Sequence, residues 1–245
     1  MATYLVLGAT GKTGSRLTRQ LTAAGHTVRA GSRHPGPRTP GVEPISFDWD
    51  DAKTYGPALA GVQGVYLVPP ELRFDHAPLL AALVGQAAAA GVERVVMLSA
   101  RGVDKGPDNP MIGAERAVKA AAGDRVQVTV VRPSWFAQNF TESFFAPPIT
   151  ADGVIVAPTG DGRQAFIDAE DIAAVAAAAL TGDGHGGHDY AISGPRAITF
   201  AVAARIIAPH AGRDVEHVDL PTEAWEQAAT ANGLPAREAG TYKVA

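Results

Sequence analysis

Short apolar runs alternate with longer amphipathic stretches over the first half of the chain. The apolar runs predict strands at residues 3–8, 26–33, 42–51, 62–70, 92–100 and 126–136. The amphipathic stretches predict helices at residues 12–24, 75–90 and 114–122. Strands that alternate with helices are typical of an α/β fold, here a Rossmann-type doubly wound parallel sheet.

The pattern loosens after Phe136. There we expect a hairpin-like stretch, a helix capped by Asp168 or Glu170, a strand and turn over residues 188–199, and two helical segments near Val202 and Trp225. Neither an internal repeat nor a low-complexity linker is present. The sequence therefore predicts one unit over residues 1–245. Residues 1–136 form its core, and residues 137–245 form mainly a small C-terminal substrate lobe that returns in part to the core.

Composition excludes several classes of function. The 245-residue chain has a formal net charge of −4 and no basic run, so we expect no nucleic-acid binding. It has no cysteine, which excludes disulfides, thiolate catalysis and cysteine-based zinc sites. No run of about 18 apolar residues and no charged region before the first strand is present, so neither a transmembrane helix nor a signal peptide is expected. We therefore expect a soluble cytoplasmic protein that does not bind membranes.

The stretch GATGKTGSRL follows the first predicted strand and opens the first predicted helix. The phosphate loop of nucleotide-hydrolysing proteins needs a glycine five positions before Gly11, where this chain has Val6. The spacing of Gly8, Gly11 and Gly14 instead matches a variant of the dinucleotide-binding fingerprint. Such glycines permit a tight turn, approach of the backbone to a pyrophosphate, and close packing of helix on strand. The alternative is an ordinary glycine-rich turn between strand and helix.

The end of the second predicted strand distinguishes between the two nicotinamide cofactors. NAD sites usually place Asp or Glu there to bind the ribose 2′-hydroxyl, but this chain has Ser32 and Arg33, and its next acidic residue is Glu43. A guanidinium binds a 2′-phosphate through two parallel hydrogen bonds, and Lys12 is a second cation for this group. The sequence predicts NADP(H) rather than NAD(H), the alternative being a solvated Arg33.

Two further positions extend this expected cofactor site. Asp48 and Trp49 lie at the end of the third predicted strand, where they are placed to contact adenine. The ligand crevice is expected where the first and fourth strands part, and the ends of these strands carry Gly8 and Pro69.

Five segments together resemble the NmrA-like branch of the short-chain dehydrogenase/reductase superfamily, over most of the chain. They are LGATGKTGSRL, YLVPP, RVVMLSARG, VVRPSWFAQNF and FIDAEDIAAVAAAAL. Within the branch, the chain is most similar to NADPH:quinone reductases and to iminium reductases of the ergot-alkaloid type. The resemblance implies an NADP cradle of Gly8, Thr10, Gly11, Lys12, Thr13 and Gly14, with Arg33 at the 2′-phosphate, Asp48 and Trp49 near adenine, and Pro69 near the ribose. It also implies that Ser99, Pro133, Ser134 and Phe136 lie towards nicotinamide and substrate.

The Tyr-x-x-x-Lys catalytic pair that is usual in this superfamily is missing from the corresponding stretch, NPMIGAERAVKAA. Met111 stands where the tyrosine belongs, and Glu115 stands where the lysine belongs. Methionine cannot donate a proton, so carbonyl reduction by that mechanism is not expected. An iminium ion already carries its charge, and a quinone spreads the added charge over its ring. Both need orientation more than a strong general acid.

The residues expected around the substrate are a methionine and three aromatic residues: Met111, Trp135, Phe136 and Phe140. Aromatic side chains stack on flat substrates, and the alternative for them is core packing. The catalytic residue is unassigned, and the weaker candidates are Ser99, Asn139 and His76. Ser99 would bind either a polar atom of the substrate or the backbone, and His76 is expected at the surface.

Two hypotheses of function follow from these residues. The first is an NADPH-dependent reductase of a quinone, an imine or iminium ion, or another electron-poor small molecule, in bacterial secondary metabolism. The second is a non-catalytic NADP(H)-binding redox sensor of the NmrA type, which passes its signal to a protein partner. We favour the enzyme because RPSWFAQNF places aromatic residues where a substrate would lie. The intact glycine turn opposes a third alternative, a cofactor-independent cyclase or isomerase. For the assembly, a homodimer is kept as an alternative to a monomer.

Two histidines, His185 and His188, occur in the glycine-rich stretch GDGHGGHD. Metal-binding histidines usually sit on rigid elements with carboxylate support. We therefore expect a flexible loop here and no metal site.

Overall fold

The computed structural model describes residues 1–70, 76–105 and 109–231. The strands in these ranges are β1 (Thr3–Leu7), β2 (Thr27–Ser32), β3 (Val42–Ser46), β4 (Gly64–Leu67), β5 (Arg94–Leu98), β6 (Gln127–Pro133), β7 (Val154–Val156), β8 (Arg163–Gln164), β9 (Asp189–Ile192), β10 (Ile198–Thr199) and β11 (Glu216–Val218). The helices are α1 (Lys12–Ala23), α2 (Tyr55–Leu59), α3 (Ala77–Ala89), α4 (Pro110–Ala122), α5 (Ala146–Asp152), α6 (Ala169–Thr181), α7 (Phe200–Ala211) and α8 (Thr222–Ala231).

The main sheet has the strand order β3-β2-β1-β4-β5-β6-β9, and every pair of neighbours in it is parallel. Parallel strands are covered on both faces and therefore read as continuous apolar runs. Leu5, Val6 and Leu7 of β1 follow this rule, since each is at most 1% exposed. The strand order turns back between β1 and β4, as the sequence predicts, and such a switch point is where doubly wound sheets bind ligands. The doubly wound α/β fold is therefore confirmed.

Contacts divide the chain into two compact units. The first unit comprises Met1–Pro133 and Ala169–Ile192, and so it contains the whole main sheet. Helix α6 lies in this unit against α1, and α3 lies against α4.

The second unit comprises Ser134–Asp168 and the chain from Ser193 onward. Its core combines aliphatic side chains with three buried phenylalanines, Phe140, Phe145 and Phe200, of which Phe200 is fully buried. Two short pairs of strands accompany this core. Strand β7 pairs with β11 in parallel, and β8 pairs with β10 in antiparallel orientation.

The fourth and sixth strands end three residues earlier than expected, at Leu67 and Pro133, and three further sequence-based expectations about elements are wrong. The third strand ends at Ser46 and not at Asp51, because the carboxylates of Asp48 and Asp51 accept hydrogen bonds from the backbone of Asp50 and Lys53 and form turns. The hairpin-like stretch after Phe136 is not a hairpin, because β7 and β8 each pair with a strand from later in the chain.

The third error concerns the start of α4, which lies four residues earlier than expected, at Pro110. Asn109 caps this helix by accepting a hydrogen bond from the backbone N–H of Met111 at 2.9 Å. An Asn N-cap followed by proline at the first helical position is a readable start signal. The expected start of α3 at Asp75 lies outside the described residues.

Among the described residues, no helix is both long and apolar enough to cross a membrane.

Candidate functional site

The glycine turn connects the carboxyl end of β1 to the first turn of α1. Gly8 has a φ of +64°, which side chains disfavour. A Cβ placed on Gly14 would lie 2.1 Å from the carbonyl oxygen of Gly8, so no side chain fits at this position. Gly11 is the N-cap of α1, and no side chain caps it. The turn therefore brings helix and strand together and leaves backbone N–H groups at the positive end of α1 for an anion.

Thr13 lies in this first turn of α1, but its hydroxyl faces inward. It is 4% exposed and accepts a hydrogen bond from the Tyr66 hydroxyl of β4 at 3.0 Å. Burial raises the pKa of Tyr66, so the phenol stays protonated and remains a donor. The expected contribution of Thr13 to the cradle is therefore limited to its backbone, whereas Thr10 is exposed.

The end of β2 carries an exposed cation and no acidic side chain. Arg33 is exposed, and the Ser32 hydroxyl is engaged by the backbone of His34 at 3.1 Å. The nearby Glu43 lies on β3 and is held by Arg38 and Arg29, at 3.2 and 3.7 Å. Its carboxylate is thus already partnered by protein cations.

Asp48 and Trp49 follow β3 and are half-buried. The Trp49 ring packs edge-on against Phe47, with a centroid separation of 5.0 Å. Its backbone carbonyl accepts a hydrogen bond from the Tyr55 hydroxyl at 2.8 Å. These contacts fix the loop after β3. Pro69 is half-buried and follows β4, the strand across the switch point from β1.

Ser99 lies directly after β5, and its hydroxyl hydrogen is not directed to the backbone, one of the two alternatives expected from the sequence, while the other, a polar atom of the substrate, stays a prediction. The hydroxyl donates a hydrogen bond to the buried carboxylate of Glu115 on α4, at 2.5 Å. Arg132 of β6 binds the same carboxylate. The sequence singles out Glu115 because this residue stands at the lysine position of the expected catalytic pair. Nothing in the sequence indicates its hydrogen bonds to Arg132. Met111, one turn earlier on α4, is half-buried and packs against the core of the first unit.

The two remaining catalytic candidates, His76 and Asn139, and the expected helix cap Glu170 differ in burial and in contacts. His76 is 4% exposed, so its expected place at the surface is wrong. His76 is the N-cap of α3, and this helix packs against α2 and α4. The polar residues next to His76 in the sequence give no indication of this packing. Asn139 is half-buried in a 3₁₀ turn at Ala137–Phe140. Glu170, expected as a cap, lies inside α6, where its carboxylate pairs with Arg16 and Arg19.

The predicted site residues from Ser134 to Phe140 belong to the second unit, whereas Pro133 is buried at the end of β6. The Ser134 hydroxyl donates to the carbonyl of Ala165. Trp135 packs edge-on against Phe200 at a centroid distance of 5.8 Å. Phe140 also packs against Phe200, at 6.0 Å, and is 8% exposed. Core packing therefore engages both rings, while Phe136 is half-buried.

The two loop histidines both contact Tyr190. The Nδ1 atom of His185 lies 2.9 Å from the Tyr190 hydroxyl, and the ring of His188 stacks on the tyrosine ring. In the part of the chain that the structure describes, no group of three or more His, Cys, Asp or Glu residues is arranged to hold a metal ion.

Comparison with known proteins identifies this fold as a nucleotide-binding one. The family model described as NAD(P)H-binding matches residues 8–183. An uncharacterized oxidoreductase of Bacillus subtilis is 38% identical over 95% of this chain and 79% of its own length. An NAD(P)H azoreductase of Xenophilus azovorans is 35% identical, over 94% of this chain and 82% of its own. An agroclavine dehydrogenase of Claviceps fusiformis is 34% identical, over 98% and 84%.

A solved structure has the same architecture. The NADPH-dependent quinone oxidoreductase QOR2 of Escherichia coli, in complex with NADPH, superposes with a TM-score of 0.82 and 25% identity. The match covers 98% of this chain and 86% of that chain.

Proposed function

Because the chain belongs to the NAD(P)H-binding family and is an NAD(P)H-dependent oxidoreductase, we propose that it is an NADPH-dependent reductase. Its proposed substrates are quinones, imines or iminium ions, and other electron-poor small molecules. The observation that carries the proposal is the glycine turn, where a Cβ on Gly14 would lie 2.1 Å from the Gly8 carbonyl oxygen. A close contact of this kind between helix and strand is the feature that the dinucleotide fingerprint requires.

The residues of the first unit fit an NADPH molecule. The backbone of Gly8–Gly14 would bind the pyrophosphate, and Arg33 would bind the 2′-phosphate. The exposure of Arg33 supports this choice of cofactor, as does the pairing of Glu43 with Arg38 and Arg29. A carboxylate already held by two cations is a poor partner for a ribose 2′-hydroxyl. When bound, NADPH supplies the hydride, and the protein supplies binding and orientation.

The substrate class is inferred from the two residues of α4 that stand where the catalytic tyrosine and lysine are expected. Met111 has no proton to give, and the Glu115 carboxylate is engaged by Arg132 and Ser99. The substrates that suit such a site accept hydride without a strong general acid. The names of similar proteins support this range, since they include an azoreductase, an agroclavine dehydrogenase and a quinone oxidoreductase. Contacts of Trp135, Phe136 and Phe140 with the substrate remain predictions.

Calorimetric titration with NADPH, NADP⁺, NADH and NAD⁺ tests the cofactor assignment. We expect NADPH to bind at least roughly tenfold more tightly than NADH, the scale of one charged hydrogen bond. Arg33→Ala should lower this ratio roughly tenfold. Arg38→Ala is the matched control, because Arg38 is already paired with Glu43, and it should leave the ratio unchanged.

The same titration separates the reductase from the sensor. Binding of NADPH at least as tight as that of NADP⁺, followed by NADPH consumption with quinones or cyclic imines, supports the reductase. Much tighter binding of the oxidised forms without turnover would favour the non-catalytic sensor. If no nicotinamide cofactor binds, the assignment of the glycine turn as a working cofactor site is wrong.

A further inference from the structure

The side chain of Glu115 is buried and is hydrogen-bonded to Ser99, the residue that follows the carboxyl end of β5. Glu115 of α4 is 1% exposed and accepts hydrogen bonds from two sides. Arg132 donates through Nε to Oε1 at 3.0 Å and through Nη2 to Oε2 at 2.5 Å. Ser99 donates through Oγ to Oε1 at 2.5 Å. Because a guanidinium has only donors, both side-chain oxygens of Glu115 accept from Arg132, and Ser99 donates to the oxygen that it shares with Arg132 Nε.

Arg132 is held in place from its other side. Its Nη2 lies 2.9 Å from Oδ2 of Asp189, and its Nη1 lies 3.8 Å from Oδ2 of Asp104. Asp189 is in turn bound by Lys119 at 2.7 Å. The guanidinium is hydrogen-bonded to both Glu115 and Asp189, so its contact with Asp189 helps to orient the Glu115 carboxylate.

This arrangement determines the hydrogen-bonding role of Ser99. A serine hydroxyl has one hydrogen and two lone pairs, and its hydrogen is directed to Glu115. The backbone N–H of Ser99 is engaged as well, by the carbonyl of Val131 at 2.8 Å. Ser99 is 7% exposed and follows the carboxyl end of β5, and within the described residues nothing donates to its hydroxyl oxygen. Ligands of doubly wound sheets lie at the carboxyl edge.

We propose that Glu115 and Arg132 are positioning residues that hold Ser99 as an obligatory hydrogen-bond acceptor, and that Ser99 binds an N–H donor of the ligand. This donor is either the carboxamide of the bound cofactor or a protonated imine of the substrate. The inference rests on the proposed function, because it concerns the same nicotinamide site. A free serine hydroxyl can donate or accept, whereas a serine held in this way can only accept and cannot donate to a carbonyl oxygen.

The cofactor arm of the test compares NADPH with its acetylpyridine analogue, in which a methyl group replaces the carboxamide NH₂. The carbonyl is kept, and only the N–H donor is lost. If the carboxamide is the donor, the unaltered protein binds NADPH roughly fivefold more tightly than the analogue, the scale of one neutral hydrogen bond. Ser99→Ala should remove this preference and Ser99→Thr should restore it. Thr181→Ala, which removes an exposed hydroxyl from the end of α6, is the control.

The substrate arm compares a protonated cyclic imine with its N-methyl iminium counterpart. Both are cations, but only the first carries an N–H. If the substrate is the donor, Ser99→Ala lowers kcat/KM roughly fivefold for the N–H substrate and leaves the N-methyl substrate unchanged. Discrimination that depends on Ser99 in either arm supports the proposal and identifies the donor.

Removal of Glu115 tests the positioning role separately. In Glu115→Ala the Ser99 hydroxyl is free to rotate and can donate as well as accept, so the preference for the N–H ligand should fall, although less far than in Ser99→Ala. The double variant Glu115→Met/Arg132→Met removes both charges together and avoids an unpaired buried ion. It should show the same loss.

Three results would overturn the proposal. The first is an absence of N–H discrimination in both arms, and the second is an equal loss for both members of each pair in Ser99→Ala. The third is discrimination in Glu115→Ala that is undiminished from that of the unaltered protein. Failure of the proposed function is a different result, since the unaltered protein would then bind no nicotinamide cofactor in the first titration.

Discussion

The hydroxyl of Tyr66 donates a hydrogen bond to the hydroxyl of Thr13 across the interior of the first unit, at 3.0 Å. Tyr66 is fully buried on β4, and Thr13 lies in the first turn of α1. This bond joins the two sides of the switch point, because β4 neighbours β1 and α1 follows the glycine turn. The position of the proposed pyrophosphate-binding turn thus depends on a buried hydrogen bond between β4 and α1.

Thr13→Val should destabilise the protein by about 1–3 kcal/mol, because it leaves the buried Tyr66 hydroxyl without a partner. Tyr66→Phe should have a comparable effect. The double variant should cost less than the sum of the two, by about 1 kcal/mol, since it removes both polar groups. Urea denaturation measures all three, with Thr181→Val as an exposed control. Additive effects would mean that the two hydroxyls are not coupled.

The stability contributed by Tyr66 should decrease at alkaline pH. Burial raises the pKa of Tyr66, so the folded state keeps the phenol proton at pH values where the unfolded chain loses it. This contribution is complete below about pH 10 and declines as the pH rises from there towards the folded-state pKa, by up to about 1.4 kcal/mol per pH unit. The measurement is urea denaturation of the unaltered protein and of Tyr66→Phe at pH values from about 9 to 11. The difference between their free energies of unfolding should decrease as the pH rises. A constant difference would contradict the burial argument.

Gly14→Ala should disrupt the cofactor turn. The added methyl would lie 2.1 Å from the Gly8 carbonyl oxygen, so α1 must move away from β1. We expect a loss of about 1–3 kcal/mol in stability, as for overpacked cores, and at least roughly tenfold weaker NADPH binding. Gly85→Ala in α3 is the matched control, because a Cβ there meets open space. It should keep NADPH binding and stabilise the helix by up to about 1 kcal/mol. Equal binding by both variants would contradict the role of the turn.

The sequence predicts best where structure depends on local pattern. β1 and β2 were predicted to within one or two residues, because buried parallel strands are short apolar runs. The glycine turn was predicted because Gly8 and Gly14 each satisfy a steric need at a fixed spacing. The capped start of α4 at Pro110 was missed, although Asn109 and Pro110 together signal it.

Pairings between distant segments left no such trace. β7 and β8 looked like one hairpin because they are close in sequence, yet their partners β11 and β10 come from later in the chain. The Ser99–Glu115–Arg132 network joins a strand end, a helix and another strand, so periodicity in any one of them cannot reveal it. Burial of His76 depends in the same way on helices packed against α3. Sequence thus located the candidate residues, and tertiary contacts determined which of their atoms remain available.

The placement of β9 as the outermost strand of the main sheet constrains the order in which the protein can assemble on the ribosome. The chain leaves the first unit after Pro133 and returns to it only at Ala169. The returning segment supplies α6, which lies against α1 and the central strands, and then β9, which pairs with β6. A nascent chain that ends before Ala169 therefore exposes the outer edge of β6 and the part of the sheet, on β4, β5 and β6, that α6 covers. Until the return segment has been synthesised, these surfaces are open to chaperones and to neighbouring nascent chains.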